Sequence, residues 1–231
     1  MSGPSVYSPL MIVDLHVHTY PASTCSTIAY RDLVGHCKAH GLRAVALTNH
    51  GDVSDNRRLE RPLAEIGVVL VHGVEISTLY GDFVIFSPDL DFLDGFSDVQ
   101  AVPKQGEMPA DAAVVWVHPA AGGGRSGSTF YSGLADLVAP TIDAIEVWNG
   151  NWSGRRYVET AERIARDFGL PATGGSDAHQ VERIGCCATE VDVEITSTAD
   201  VVAAIKAGAV GPVAAKASGG GLGRLFDRLK R

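Results

Sequence analysis

"VDLHVHT", residues 13–19, decides how the chain reads. It starts as an apolar β-type run and ends in two histidines one residue apart. In a strand, residues i and i+2 share a face, so His16 and His18, with Asp14 before them, are expected to emerge together at the strand's end. In α/β barrels and doubly wound sheets that edge is where sites assemble, because loops from several strands converge there. By itself the pair fits either a hydrogen-bonded strand terminus or half of a metal site.

Outward from this stretch, short apolar runs recur at 12–15, 44–47, 68–71, 83–86, 114–117, 144–147 and 171–173, separated by helix-patterned segments at 28–40, 53–65, 131–138 and 153–168. Near-continuous Val, Ile, Leu and Ala runs are expected of strands covered on both faces, and their alternation with helices predicts βαβ units around a parallel sheet. A barrel closes such a sheet most economically. One interruption is expected, because "EISTLYG" is too short for a helix and predicts a hairpin. With 231 residues, 45% of them hydrophobic, the chain suffices for one sizeable core. We expect a 10-residue N-terminal extension, one domain over 11–217, and a tail over 218–231 that joins a Gly-rich linker to a short basic amphipathic segment.

Composition narrows the function classes. The formal net charge of −8 argues against an extended grip on nucleic acid, which needs clustered Lys and Arg to displace counterions. No apolar run approaches the roughly 18 residues of a membrane span, and the first ten residues lack the basic start and apolar middle of a signal peptide. The four cysteines show no CxxC spacing, so free thiols and a cytoplasmic location are expected.

The chemistry sorts to the strand ends. His16 and His18 follow the first, His50 in "TNHGD" the second and Glu75 in "GVEIS" the third. Further on come Asp82 in "YGDF", His118 in "VHPA", Glu146 in "IEVWNG", and Asp177 and His179 in "GGSDAH". Imidazoles mixed with carboxylates suit Zn²⁺, Mn²⁺ or Fe rather than a closed thiolate site. The donors outnumber the needs of one tetrahedral ion, and Glu75 suits a carboxylate bridging two ions. Two ions that share a hydroxide and clamp the oxygens of a phosphoryl group are a phosphoesterase arrangement. Three features read differently. His36 and His40 have helix spacing without a companion carboxylate, His72 reads as an ordinary strand histidine, and "GGGRSG" lacks the Lys and spacing of a P-loop. Its Arg125 can still present a fork of donors to a phosphate.

In this order, "DLHVHT", "ALTNH", "GVEIST", "VHP", "DAIEVWNG" and "GSDAH" resemble the motifs of the polymerase and histidinol phosphatase (PHP) family of metal-dependent phosphoesterases. The resemblance implies an α/β fold of the distorted (β/α)7 barrel type with two or three divalent ions. It also implies His16, His18, Glu75 and Asp177 around the first ion, with Glu75 bridging to a second held by His118 and Asp82, and His50 and His179 around a third. Glu75 and Asp177 would then hold the bridging hydroxide, and Asp14, Asn49, Glu146 and Asn149 would support the ligands or orient substrate. This chain departs from the family pattern in having Asn49 where an acid is usual, and in lacking an Asp or His in "YPASTCS".

The expected activity is hydrolysis of a small phosphate ester, a monoester in preference, with no membrane or long nucleic acid involved and oligomeric state unread. Two alternatives stay open. One is an amidohydrolase-type barrel, whose metals are often bridged by a modified strand-end lysine that this chain does not place. The other is a metal-binding regulatory domain without turnover.

Overall fold

A computed structural model describes residues 11–39, 42–96, 107–119 and 132–213. The expected N-terminal extension, Arg125 with its Gly-rich loop, and the C-terminal tail lie outside the described residues. Among the described residues nine strands form one sheet in the order β7-β6-β5-β4-β3-β2-β1-β8-β9. They are β1 (Met11–Asp14), β2 (Ala44–Leu47), β3 (Val69–Thr78), β4 (Gly81–Phe86), β5 (Ala113–Val117), β6 (Ala144–Asn149), β7 (Ala172–Gly175), β8 (Ala188–Val191) and β9 (Val210–Val213). The helices are α1 (Tyr30–Ala39), α2 (Ser54–Ala64), α3 (Leu90–Asp94), α4 (Ser132–Val138), α5 (Arg155–Phe168) and α6 (Thr198–Ala207).

The sheet curls into the expected distorted barrel. Past the end of β1, Val17 pairs in parallel with Ala178 just after β7, so the first seven strands return on themselves. Asp14 clamps this seam: Oδ1 accepts from the backbone N–H of His16 (3.2 Å) and Ser176 (2.9 Å), and Oδ2 from that of Gly185 (2.8 Å). Fully buried there, the carboxyl is pushed up to about 6 against the lowering effect of those donors. Beyond β1 the sheet continues with β8, antiparallel to β1, and β9, antiparallel to β8. The Thr189 hydroxyl stitches β8 to β7, accepting from Gly174 N–H (2.9 Å) and donating to its carbonyl (2.7 Å).

Three apolar layers follow from the alternation of side chains. The barrel interior holds Val13, Val71, Val84, Phe86, Val115 and Ala144. Outside it, α1 and α2 cover one part of the sheet through Leu33, Leu59 and Leu63, and α5 covers another through Ala161 and Ile164. Helix α6 joins the interior cluster through Val201, Val202 and Ile205. It sits where strands begin, since the Thr198 hydroxyl accepts from His72 N–H on β3 (2.9 Å) and Lys206 reaches the Ala110 carbonyl ahead of β5 (3.1 Å).

The hairpin falls where the sequence places it, and its effect is to reverse β4. Strand β4 runs antiparallel to both β3 and β5, with Ser77 opposite Asp82 and Asp82 opposite Val117. The start of β4 therefore lies beside the ends of its neighbours, which brings Asp82 to the end of the barrel where the other strand-end residues gather.

Candidate metal centre

Four imidazoles and two carboxylates meet at the C-terminal ends of the strands. Glu75, 2% exposed, lies at the middle. Its Oε1 is 3.1 Å from His118 Nε2 and 3.6 Å from His16 Nε2, and its Oε2 is 3.2 Å from His18 Nε2 and 3.0 Å from His50 Nδ1. Asp177 Oδ1 faces the same imidazoles, 3.6 Å from His16 Nε2 and 3.4 Å from His18 Nε2. Four overlapping donor groups result: His16, His18 and Glu75; His16, His118 and Asp177; Glu75, Asp82 and His118; and His18, His50 and His179.

The residues fit divalent ions. Ligands about 2.1 Å from a tetrahedral ion stand about 3.4 Å apart, and the separations above cluster around that value. His16 Nε2 and His18 Nε2 point at each other across 3.1 Å, an arrangement that two lone pairs adopt around a cation. Glu75 Oε2 and His118 Nδ1 are buried without an acceptable hydrogen bond, which is costly unless something else satisfies them.

Electrostatics within the cluster are strongly coupled. Burial works against a charged His16, but Asp177, Glu146 and Glu75 together hold it well above its ordinary value. His118 is raised to about 9, its burial outweighed by Glu75. Burial dominates at His18 and pushes it down to about 4. Glu75 and Asp177, although buried, are both held low, chiefly by the facing His16.

Local backbone explains how the ligands are aimed. The non-glycine residues with positive φ among those described are His118 (31°) and Asp177 (49°), a conformation that costs free energy and concentrates at functional sites. Gly175, just before "SDAH", allows a close approach: a Cβ there would lie 2.5 Å from His16 Cβ and 2.6 Å from Glu146 Oε1. Backbone pairing of His50 with Glu75 fixes the second strand end against the third.

The supporting groups sort by what they touch. Glu146 Oε1 takes the Nδ1 proton of His16 (3.1 Å), which turns Nε2 to the centre, while Oε2 accepts from His118 N–H (3.0 Å) and Asn149 Nδ2 (2.8 Å). His179 donates Nδ1–H to the Asp177 carbonyl (3.0 Å), leaving Nε2 as its donor atom. A metal-binding imidazole is commonly oriented in this way through its other nitrogen. Asp14 and Asn49 behave otherwise than expected of groups supporting a ligand. Asp14 holds the seam backbone, and Asn49 pairs with Thr19, accepting its N–H (2.7 Å) and donating to its hydroxyl (3.0 Å). His72 reads as expected, since it lies at the opposite end and lines a cleft of about 590 Å³ with Arg43 and Glu60.

Sequence reasoning missed Ser23 and Asn151. The Ser23 hydroxyl lies 3.3 Å from His18 Nδ1 and accepts from His50 N–H (3.1 Å), so "YPASTCS" supplies an orienting group where a ligand is absent. Asn151 Nδ2 donates to the Asp177 carbonyl (2.7 Å) and so braces its strained backbone. The signal for Asn151 was its position two residues past Asn149 in a motif already noted. Ser23 carried none, because the loop must fold back before the hydroxyl meets His18.

A barrel whose strand ends converge on histidines and acids fits the class of α/β-barrel metal centres. Comparison with known proteins narrows it. The family described as PHP-associated matches residues 155–210. A Shewanella frigidimarina protein named "Probable phosphatase" is 27% identical over 203 residues, covering 75% of this chain and 80% of the relative. A Bacteroides vulgatus two-domain protein described as containing a predicted PHP-like metal-dependent phosphoesterase superposes with a TM-score of 0.66 at 18% identity, covering 89% of this chain and 65% of that one. An amidohydrolase from Chromobacterium violaceum superposes with a TM-score of 0.60 at 15% identity, covering 90% and 99%; at such identities the two structures speak for the fold. Together these similarities support the PHP family for this chain.

Proposed function

We propose that the protein is a metal-dependent phosphoesterase acting on a small phosphate monoester. The observation that carries this reading is Glu75, buried with one oxygen facing His118 and the other facing His18 and His50, the placement of a carboxylate shared between two ions. His16, His18, Glu75 and Asp177 would hold the first ion, Glu75, His118 and Asp82 a second, and His50 and His179 a third. His18 closes that third group, because its ring stacks 4.6 Å from His50 and 4.4 Å from His179. Zn²⁺, Mn²⁺ and Fe all suit this donor set. Bound ions would polarise a phosphoryl oxygen and make water acidic enough to attack at neutral pH.

The chain's own groups supply the preorganisation. Glu146 fixes the tautomer of His16 and Ser23 steadies the ring of His18, so the donor atoms need no reorientation when substrate arrives. His50, its side chain 45% exposed, is the most open of these imidazoles to solvent. Arg125 is kept as a phosphate-binding candidate from the sequence. The amidohydrolase reading is disfavoured because a carboxylate, Glu75, would take the bridging position.

The test is release of phosphate from 4-nitrophenyl phosphate and a panel of monoesters by protein loaded with Mn²⁺ or Zn²⁺. Turnover abolished in Glu75→Ala and Asp177→Ala is expected. Metal binding that raises thermal stability without hydrolysis of any ester would select the regulatory alternative.

A further inference from the structure

Beside the metal centre lies a second opening of about 420 Å³, lined by Asn151, His179, Gln180 and Arg183. His179 is the one lining residue that also belongs to a donor group. Neither His16, His18, Glu75 nor Asp177 reaches this cleft. The phosphorus must sit against those buried groups, so the cleft receives what is attached to the phosphate rather than the phosphate itself.

Among the described residues its lining is three polar side chains and the His179 imidazole, with no aliphatic side chain to cover a hydrocarbon. Arg183 gives it a sign. The guanidinium is tethered through Nη2 to the Gly150 carbonyl. The adjoining segment is itself fixed, because Asn151 holds the Asp177 carbonyl at 2.7 Å and its N–H donates to Asn149 Oδ1 at 2.8 Å. Among the described residues the arginines in ion pairs are Arg57, Arg58, Arg61 and Arg155, and Arg183 has no carboxylate partner. An anchored, uncompensated guanidinium with donors to spare is suited to a planar or tetrahedral anion.

We infer that the Asn151–Gln180–Arg183 cleft seats an anionic group carried by the alcohol portion of the ester. The favoured substrates are then small monoesters whose alcohol bears a carboxylate or a second phosphate, in preference to esters of uncharged alcohols. This rests on the phosphoesterase reading above and specifies its substrate class.

Three esters of similar size separate the possibilities in the metal-loaded enzyme: glycerol 3-phosphate, whose alcohol is uncharged; 3-phosphoglycerate, which adds a carboxylate; and 1,3-propanediol bisphosphate, which adds a second phosphate. The wild type is expected to favour one charged ester over glycerol 3-phosphate at least tenfold in kcat/KM, mainly through KM. Arg183→Gln, which keeps a donor for the Gly150 carbonyl but removes the charge, is expected to bring that ratio near one, and Arg183→Lys to retain most of it. The preferred ester should also raise the melting temperature of wild type more than that of Arg183→Gln. A wild-type ratio near one, or a ratio unchanged by Arg183→Gln, would overturn the inference and leave the phosphoesterase reading standing. Failure to hydrolyse any of the three esters or 4-nitrophenyl phosphate removes both.

Discussion

At the end of the barrel where β3, β5 and β7 finish, Glu75, His16, His18 and Asp177 are buried with donor atoms 3 to 4 Å apart. At the end where the strands begin, α6 fills the opening with Val201, Val202 and Ile205 against Val71 and Phe86. The first end carries positive φ at His118 and Asp177 and orphaned polar atoms at Glu75 and His118. The second carries a capping box in which Ser197 and Asp200 satisfy each other's backbone N–H groups. One sheet thus serves both purposes: apolar burial at one end offsets the cost of crowded polar groups at the other.

Substitutions at the two ends should separate accordingly. The largest effect is expected from Glu75→Ala or Asp177→Ala, which should lower kcat/KM for a phosphate ester by on the order of 10³-fold, with circular dichroism confirming that the fold persists. At the other end, Ile205→Ala should lower stability by about 3 kcal/mol in denaturant titration while kcat per folded molecule stays unchanged. An equal loss of kcat would break the separation of the two ends. Glu146→Gln should weaken metal binding about 10- to 100-fold, measured by competition with a chelating dye.

The smallest effect concerns Asp200, held below its ordinary value first by the backbone N–H of Thr196 and then by the hydroxyls around it. A depressed carboxyl contributes stability in full above its unfolded pKa of about 3.9 and loses it as pH falls through the lower folded value. Asp200→Asn should therefore cost about 1 kcal/mol or less at pH 7. The melting-temperature gap to wild type should shrink only below about pH 4; a gap that narrows between pH 7 and 5 would point to another group.

The sequence carried the sheet as far as each strand was a continuous apolar run. Strand β2 matches its expected bounds, and β3 to β7 overlap theirs. Strands β8 ("ATEV") and β9 ("VGPV") escaped because they are short, and Gly and Pro weaken the signal of an edge strand. Helix α6 escaped for a different reason. As an Ala- and Val-rich plug with Val201, Val202, Ala204 and Ile205 buried, it lacks the polar face that marks an amphipathic helix. At the site, ligand types were legible because each ends a strand in a distinctive motif. Their supports were legible only when they belonged to such a motif, as Glu146 does. Asn49 and Ser23 take their roles from which backbone or imidazole the fold brings near, and spacing does not encode that.

The central claim is that the convergent donors hold divalent ions that hydrolyse phosphate esters. Elemental analysis of the purified protein, run beside phosphate release before and after chelation, tests it most directly. Two or more ions per chain are predicted, with turnover lost on chelation and restored by Mn²⁺ or Zn²⁺. Protein that retains no metal and releases no phosphate after reloading would contradict the account.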